Sequence, residues 1–341
     1  MLFLRVILNV LLLWIYPAKS TNIDKTASRD ARLLNDGNTM PLVTFGTLVP
    51  VEDLDKLPEA VCSAFESGYR NLDTYYNEYF VADSIKNAIS CGMVTRKELF
   101  ISAKKSLDIC TRSGVVSDLK MTLKILQLDY VDLFLINTPI NPSGKKNCNV
   151  MDIWNGMEDA KKQGLTKSIG VVNFKKEDLD KILPYCTTKP AVNQLEVNPT
   201  NTNIELVEYC QKQGIMVMAY RPFGFTVPRP GVTNPPPPCL DDPVLVKIAE
   251  KYNVTASQVI VRYPIDRGVV PMSRSTNMTN IEQNDEINSF CLTDEDVAKI
   301  NEFNVNRPVY PVKSFTFGPD SKKGTKKEQA KRRYEKFYPL A

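Results

Sequence analysis

The sequence predicts a (β/α)8 barrel, a single α/β domain, on three observations. Short apolar runs alternate with amphipathic helical patterns eight times over about 270 residues. The run at 131–136 is almost continuously apolar yet far too short to cross a bilayer, as expected of a strand covered on both faces of a parallel sheet. No glycine-rich dinucleotide fingerprint follows the first strand, which argues against a doubly wound sheet.

The first 20 residues stand apart from this rhythm. Arg5 precedes an apolar run from Val6 to Tyr16 that only Asn9 interrupts, and Ala18-Lys19-Ser20 fits a small-x-small cleavage site. Residues 1–20 are therefore expected to be a secretory signal peptide, cut before Thr21. The chain would then be secreted or held in the lumen of the secretory pathway, with no stable membrane span after cleavage. All 8 cysteines lie beyond that segment, and an oxidising compartment allows disulfides, although the spacing assigns no connectivity. Asn253-Val-Thr and Asn277-Met-Thr are N-glycosylation sequons, whereas proline blocks Asn198-Pro-Thr.

Composition narrows the chemistry. A formal net charge of +4 over 341 residues is too weak to imply nucleic acid, and histidine is absent. Catalysis without histidine must run on Asp, Glu, Lys, Tyr, Cys or a cofactor.

Along the chain, Asp36-Gly37 between two apolar pieces signals an N-terminal hairpin. Strands are expected at 44–47, 69–73, 99–103, 130–136, 167–171, 191–196, 216–219 and 269–272. Helices are expected at 57–67, 81–89, 116–126, 150–162, 176–183, 204–213, 244–252 and 256–266. Residues 222–243, rich in proline, form a long loop after the seventh strand. Barrel, residues 21–312, and tail, residues 313–341, divide where a basic cluster begins (Lys322, Lys323, Lys326, Lys327, Lys331, Arg332, Arg333). Such a cluster is expected to be a solvated end, its alternative being contact with an acidic partner or a membrane surface. The carboxyl ends of barrel strands carry active sites, so Asn137, where the apolar run 131–136 gives way to polar residues, is a functional candidate.

An ordered series of motifs resembles the aldo-keto reductases from Leu34 to Pro311. It includes Leu34-Asn-Asp-Gly-Asn with Met40-Pro, Phe45-Gly-Thr, Asn71-Leu-Asp-Thr, Asn77-Glu followed by Val81, and Glu98-Leu-Phe-Ile-Ser-Ala-Lys. Leu128-Asp-Tyr-Val-Asp-Leu, Gly164-Leu-Thr-Lys-Ser-Ile-Gly-Val, Asn173-Phe, Asn193-Gln with Asn198-Pro, Ala219-Tyr and Leu240-Asp-Asp-Pro-Val continue it. The resemblance implies the same barrel with a hairpin closing its bottom. It also implies reduction of aldehydes or ketones with NADPH, without a metal, through a tetrad of Asp, Tyr, Lys and His. In that tetrad Tyr gives the proton, Lys paired with Asp lowers the Tyr pKa, and His orients the carbonyl.

Carried over by position, Asp73 and Lys104 match the family Asp and Lys. Asn137 stands where the family has His, and Thr138 where it has Trp. Tyr75 matches the catalytic Tyr across a loop about three residues shorter than the family pattern, with Tyr76 as the alternative. Among cofactor positions, the resemblance assigns Gly46, Thr47 and Asp73 to the cofactor side, Asn173 and Gln194 to the nicotinamide amide, and Tyr220 to stacking on the ring. It assigns Arg274 and Ser275 to the adenosine phosphate, and Gln283 and Asn284 to adenine. Val172 replaces a Ser, and Asn280 replaces the Arg that grips the 2′-phosphate, so NADP(H) should lose part of its preference over NAD(H). The expectation is a monomeric NAD(P)H-dependent reductase of a small-molecule carbonyl, slowed by Asn137. A catalytically impaired secreted barrel that binds the cofactor or a partner is the alternative.

Overall fold

The computed structural model describes residues 31–105, 109–139, 148–285 and 287–310, together with Glu328 and Lys331. The predicted signal peptide, residues 21–30 and almost all of the basic tail lie outside the described residues. Strands β1 (Ala31–Leu33) and β2 (Thr39–Pro41) pair antiparallel around Asp36-Gly37, where Gly37 has φ 85°, a conformation that side chains resist. Eight strands follow: β3 (Thr44–Gly46), β4 (Asn71–Asp73), β5 (Phe100–Lys104), β6 (Val131–Ile136), β7 (Thr166–Val172), β8 (Val192–Glu196), β9 (Met216–Tyr220) and β10 (Val269–Ser273). They form a closed parallel barrel in chain order, with β10 pairing to both β9 and β3.

The helices around the barrel are α1 (Leu57–Ser67), α2 (Glu78–Ser90), α3 (Arg112–Leu126), α4 (Val150–Lys162), α5 (Lys176–Leu179), α6 (Ile204–Lys212), α7 (Pro243–Tyr252) and α8 (Ala256–Asp266). The helix expected at 176–183 is regular only to Leu179. Hydrogen bonds of the i→i−3 kind, such as Lys181 N to Asp178 O, tighten the chain as it approaches Pro184. Two helices outside the expected set, α9 (Met278–Asp285) and α10 (Asp294–Asn301), follow the barrel's last strand. The polar run of α9 shows little apolar periodicity. For α10, Thr293 and Asp296 form a capping box, which is legible in the sequence.

Period-two alternation decides what enters the barrel. In β6, Leu133 and Leu135 join an inner cluster with Phe100, Val172, Val192, Met218 and Val270, while Phe134 and Ile136 join the larger core under the helices. The hairpin contributes Leu34 and Met40 to that inner cluster. Its polar residues grip the strand starts: Asn38 Nδ2 donates to Ser168 Oγ (3.0 Å), Asn35 Nδ2 to Pro190 O (2.8 Å), and Lys161 pairs with Asp36 (2.5 Å). The hairpin thus plugs the amino-terminal end of the barrel and leaves the carboxyl end for chemistry.

One disulfide, Cys110–Cys148, joins the segments leading into α3 and α4; Cys62, Cys91, Cys186, Cys210, Cys239 and Cys291 are free. The cysteines precede the two helix caps: Thr111 accepts from Gly114 N, and Asn149 from Met151 N. Arg112 grips Asp159 through two bonds of 2.5 and 2.7 Å, and a Cβ at Gly156 would lie 2.6 Å from Arg112 O. Covalent, ionic and steric contacts therefore fasten α3 to α4.

Candidate active site

The alternation that fills the barrel also selects its mouth. Ser102 and Lys104 continue the inward phase of Phe100, Asn137 that of Leu133 and Leu135, Gln194 and Glu196 that of Val192, and Tyr220 that of Met218. The register sets Asp73 beside Ser102 and Gly46, and Val172 beside Gln194. Asp73, Lys104, Asn137, Gln194 and Tyr220 thus converge on one rim, as the sequence predicts.

Asp73 and Lys104 are both buried and joined by a 2.5 Å ion pair. The other carboxylate oxygen of Asp73 accepts from Ser102 Oγ (2.8 Å) and Gln194 Nε2 (3.1 Å). A buried ion pair is better tolerated when its remaining oxygen is also hydrogen-bonded, as Asp73's is. Ser102 was not singled out in the sequence, although its position two residues before Lys104 is the signal that would have found it.

The short loop after Asp73 is braced by Asn77, a fully buried side chain that sequence reading quoted only as part of a motif. Its Oδ1 accepts from Tyr75 N (3.1 Å), and its Nδ2 donates to Thr47 O (2.5 Å). Thr47 Oγ in turn donates to Asp73 O (2.7 Å). The polar groups of Thr47 are therefore engaged in holding the Asp73–Tyr75 loop. Gly46 is small for packing reasons, since a Cβ there would meet Met272 at 3.0 Å.

This brace brings the Tyr75 hydroxyl to Asn137, whose Nδ2 donates to it. Tyr76 lies alongside, ring centroids 4.4 Å apart, with φ 57° and its N–H donating to Glu78 Oε1 (3.2 Å). A tyrosine in the left-handed region carries strain, and such strain clusters at working sites. Burial pushes the Tyr75 phenol well above its ordinary pKa; Tyr76 and the charge of Glu78 add to this, while the Asn137 bond opposes it. The sequence resemblance implies the opposite direction, with lysine lowering the phenol. Here the Lys104 ammonium is bonded to Asp73 and lies against the Tyr75 ring, 5.4 Å from its centroid.

On the far side of the mouth, Tyr220 donates its hydroxyl proton to Asn173 Oδ1 (2.9 Å), fixing the ring. Burial, and next the neighbouring Glu196, push that hydroxyl well above the usual phenol range. Asn173 has φ 58° and its backbone N–H donates to Gln194 O (2.9 Å). With Asn173 Oδ1 taken by Tyr220 and Gln194 Nε2 donating to Asp73, the side-chain Nδ2 of Asn173 and the side-chain Oε1 of Gln194 have no partner among the described residues. One donor and one acceptor are what a carboxamide requires, so these residues fit a nicotinamide. Val172 beside them is apolar and buried.

Farther along, Arg274 donates to Leu48 O, bridging the ends of β10 and β3. Ser275 Oγ accepts from Asn277 N (3.0 Å), and Asn277 Oδ1 accepts from Asn280 N (3.3 Å) at the start of α9. Asn280 is exposed and neutral, and Gln283 is partly exposed on the same helix. Asn284 also belongs to α9, its side chain lying outside the described residues.

Comparison with known proteins agrees with this geometry. The sequence pattern of the aldo/keto reductase family matches residues 45–305. Aldo-keto reductase AKR2E4 of Bombyx mori is 44% identical over 297 residues, spanning 84% of this chain and 96% of the relative. Its crystal structure in complex with NADP superposes with a TM-score of 0.79 at 43% identity, covering 83% of this chain and 95% of the other. Aldo-keto reductase AKR2E5, also of Bombyx mori and complexed with NADPH in one structure, reaches a TM-score of 0.81 at 32% identity, covering 89% and 97%. Prostaglandin F synthase 1 of Bos taurus is 36% identical, with 81% of this chain and 92% of the relative aligned. The chain belongs to the aldo/keto reductase family.

Proposed function

We propose that this protein is a secreted, monomeric carbonyl reductase that uses NADPH, with a weakened preference over NADH, and turns over slowly because Asn137 stands where a histidine is expected. The observation that carries the reading is the Tyr75–Asn137 hydrogen bond at the barrel mouth beside the buried Lys104–Asp73 pair. The nicotinamide cofactor supplies the hydride when bound. The chain's own residues then have to hold the carbonyl oxygen and give it a proton. Asn137 donates one amide hydrogen to the Tyr75 oxygen, which holds the phenol at the mouth as the proton donor to a substrate oxygen. The second amide hydrogen of Asn137 is a further donor to that oxygen. A neutral amide orients but does not relay protons, and losing one stabiliser of developing charge commonly costs ~10²–10³ in rate.

The weakened cofactor preference is supported by Asn280, which brings no charge to a 2′-phosphate. Secretion is supported by the N-terminal sequence, whose apolar run and Ala18-Lys19-Ser20 fit a signal peptide, and by the Cys110–Cys148 disulfide, a bond that persists in oxidising compartments. Both sequon asparagines, Asn253 and Asn277, are exposed.

Fluorescence titration of secreted protein with NADPH and NADH, followed by an assay with small aldehydes, tests the proposal. Nucleotide binding with slow reduction that Tyr75→Phe abolishes supports it. Binding without any reduction replaces it with a cofactor-binding protein, and no binding removes both readings.

A further inference from the structure

The Lys104 ammonium has one hydrogen-bond partner among the described residues, the Asp73 carboxylate at 2.5 Å. It also lies 5.4 Å from the centroid of the Tyr75 ring. Where this charge stands relative to the phenol is therefore decided by how the carboxylate is held. Both partners are buried, so water does little to hold it.

The second carboxylate oxygen, Asp73 Oδ1, has two donors of different standing. Gln194 Nε2 (3.1 Å) belongs to a side chain that also faces the nicotinamide position, so its geometry answers to the cofactor. Ser102 Oγ (2.8 Å) is independent of it. Ser102 is fully buried on β5, opposite Asp73 in the parallel register and two residues before Lys104 on the same face of the strand. A serine hydroxyl has one hydrogen to give. Leu72 O lies at 3.3 Å, a weaker acceptor than a carboxylate at 2.8 Å, so the hydrogen goes to Asp73.

Ser102 also anchors the chain that leads to the phenol. Its carbonyl accepts from Thr74 N (3.0 Å) and from Thr74 Oγ1 (2.8 Å), and Thr74 is the buried residue between Asp73 and Tyr75. One strand residue thus holds the carboxylate with its side chain and the start of the tyrosine loop with its backbone. Thr74 fixes the loop whatever side chain stands at 102, which leaves the hydroxyl with a single task.

We infer that Ser102 is a positioning residue for carbonyl reduction: by fixing the Asp73 carboxylate, its hydroxyl sets how the Lys104 charge supports Tyr75. The inference rests on the reading of Tyr75 as proton donor. A buried carboxylate deprived of a donor draws Lys104 onto itself and neutralises it more fully. Less positive charge then remains to support the phenolate that forms as Tyr75 gives up its proton. The chemical step suffers, and nucleotide binding does not.

Steady-state rates on one aldehyde, with NADPH fluorescence titrations, test this in Ser102→Thr and Ser102→Val of the full secreted chain. The two replacements share a shape and differ in the hydroxyl, so any cost of the added bulk is common to both. Ser102→Val should have a kcat roughly tenfold or more below that of Ser102→Thr, with NADPH Kd values that agree within about twofold. In an Asp73→Asn background the difference in kcat should largely vanish, because the hydroxyl acts through that carboxylate. Ser102→Ala supplies the hydroxyl-free comparison should Ser102→Val fail to give native circular dichroism. Equal kcat with and without the hydroxyl, a loss that appears in NADPH affinity, or a difference that persists in the Asp73→Asn background would overturn the inference and leave the reductase reading standing. A parent protein that binds nucleotide and reduces no aldehyde would overturn both.

Discussion

Asn137 and Tyr75, 62 positions apart in sequence, meet through a hydrogen bond in which the amide donates to the phenol oxygen. The donor sense matters: an amide that gave its carbonyl to the phenol would capture the proton the reaction needs. As placed, the amide gives a hydrogen to the phenol oxygen and does not itself take that proton. The contact also distinguishes the two adjacent tyrosines, because it is Tyr75 that reaches the amide.

Tyr75→Phe should therefore lower carbonyl reduction by at least ~10²-fold, whereas Tyr76→Phe should stay within about tenfold of the parent. Asn137→His should raise the rate by on the order of 10–100-fold, by adding a stronger, titratable donor. Steady-state rates on one aldehyde check all three. Equal losses in the two tyrosine variants would mean that the proton donor is shared or misassigned.

Asn280→Arg should strengthen NADPH relative to NADH. One charge-assisted hydrogen bond is worth about 1.5–3 kcal/mol, so the ratio of dissociation constants should shift roughly 10- to 100-fold. Paired fluorescence titrations measure it directly. An unchanged ratio would show that another cation already holds the 2′-phosphate.

The barrel, its hairpin and Asn137 at a strand end are legible because periodicity and strand ends are local properties of the chain, whereas Asp73, Lys104, Gln194 and Tyr220 are found only through the ordered motifs that resemble a family. The Asn77 brace was less so. Its consequence depends on Thr47, Asp73 and Tyr75 meeting in three dimensions, and an isolated asparagine before a helix reads as a cap. The direction of the Tyr75 pKa was illegible for the same reason. It is set by burial and by the neighbouring Tyr76, where motif matching suggests a lysine. The Cys110–Cys148 pairing depends on how α3 packs on α4, which spacing alone does not give. Helix α9 was missed because its residues carry almost no apolar periodicity.

Removing the disulfide should cost stability through the unfolded chain. Closing a loop with a sequence separation of 38 residues is worth about 3–4 kcal/mol in the chain-entropy account. Urea unfolding of the Cys110→Ser/Cys148→Ser double variant, or of parent protein in reductant, should show a correspondingly lower midpoint. Coincident curves with and without reductant would contradict the pairing, as would mass spectrometry that finds both thiols alkylated in the native secreted protein.

The Asp296 carboxylate predicts an acid-sensitive joint between α7 and α10. Burial alone would raise its pKa, but bonds from Lys251 (2.7 Å), Tyr252 (2.5 Å) and Thr293 (2.8 Å) hold it well below the usual 3.8. A depressed folded-state pKa gives stability that is present above the unfolded value and lost as pH falls through the folded one. Thermal melts between pH 5 and 2 should therefore show the parent losing more stability than Asp296→Asn, which is weaker at neutral pH and flatter in acid. Parallel pH dependences would mean that other carboxylates govern acid unfolding.

The pH dependence of the reaction itself tests the tetrad most directly. Tyr75 acts as a donor only while protonated, and its raised pKa keeps it so beyond the ordinary phenol value of 10.0. With no histidine in the chain and an amide at position 137, the proposed proton donor does not titrate near neutrality. For a substrate that does not itself ionise, kcat/KM should stay flat from about pH 6 to 9, falling only in more alkaline solution. Asn137→His introduces a group with an ordinary pKa of ~6.5 against the phenol, so that variant alone should gain an inflection near neutrality. An inflection near pH 7 in the parent would point to a donor outside the tetrad. If the parent's alkaline limb instead falls below pH 9, the environment lowers the phenol, and Lys104 must reach the hydroxyl during turnover instead of resting against the ring.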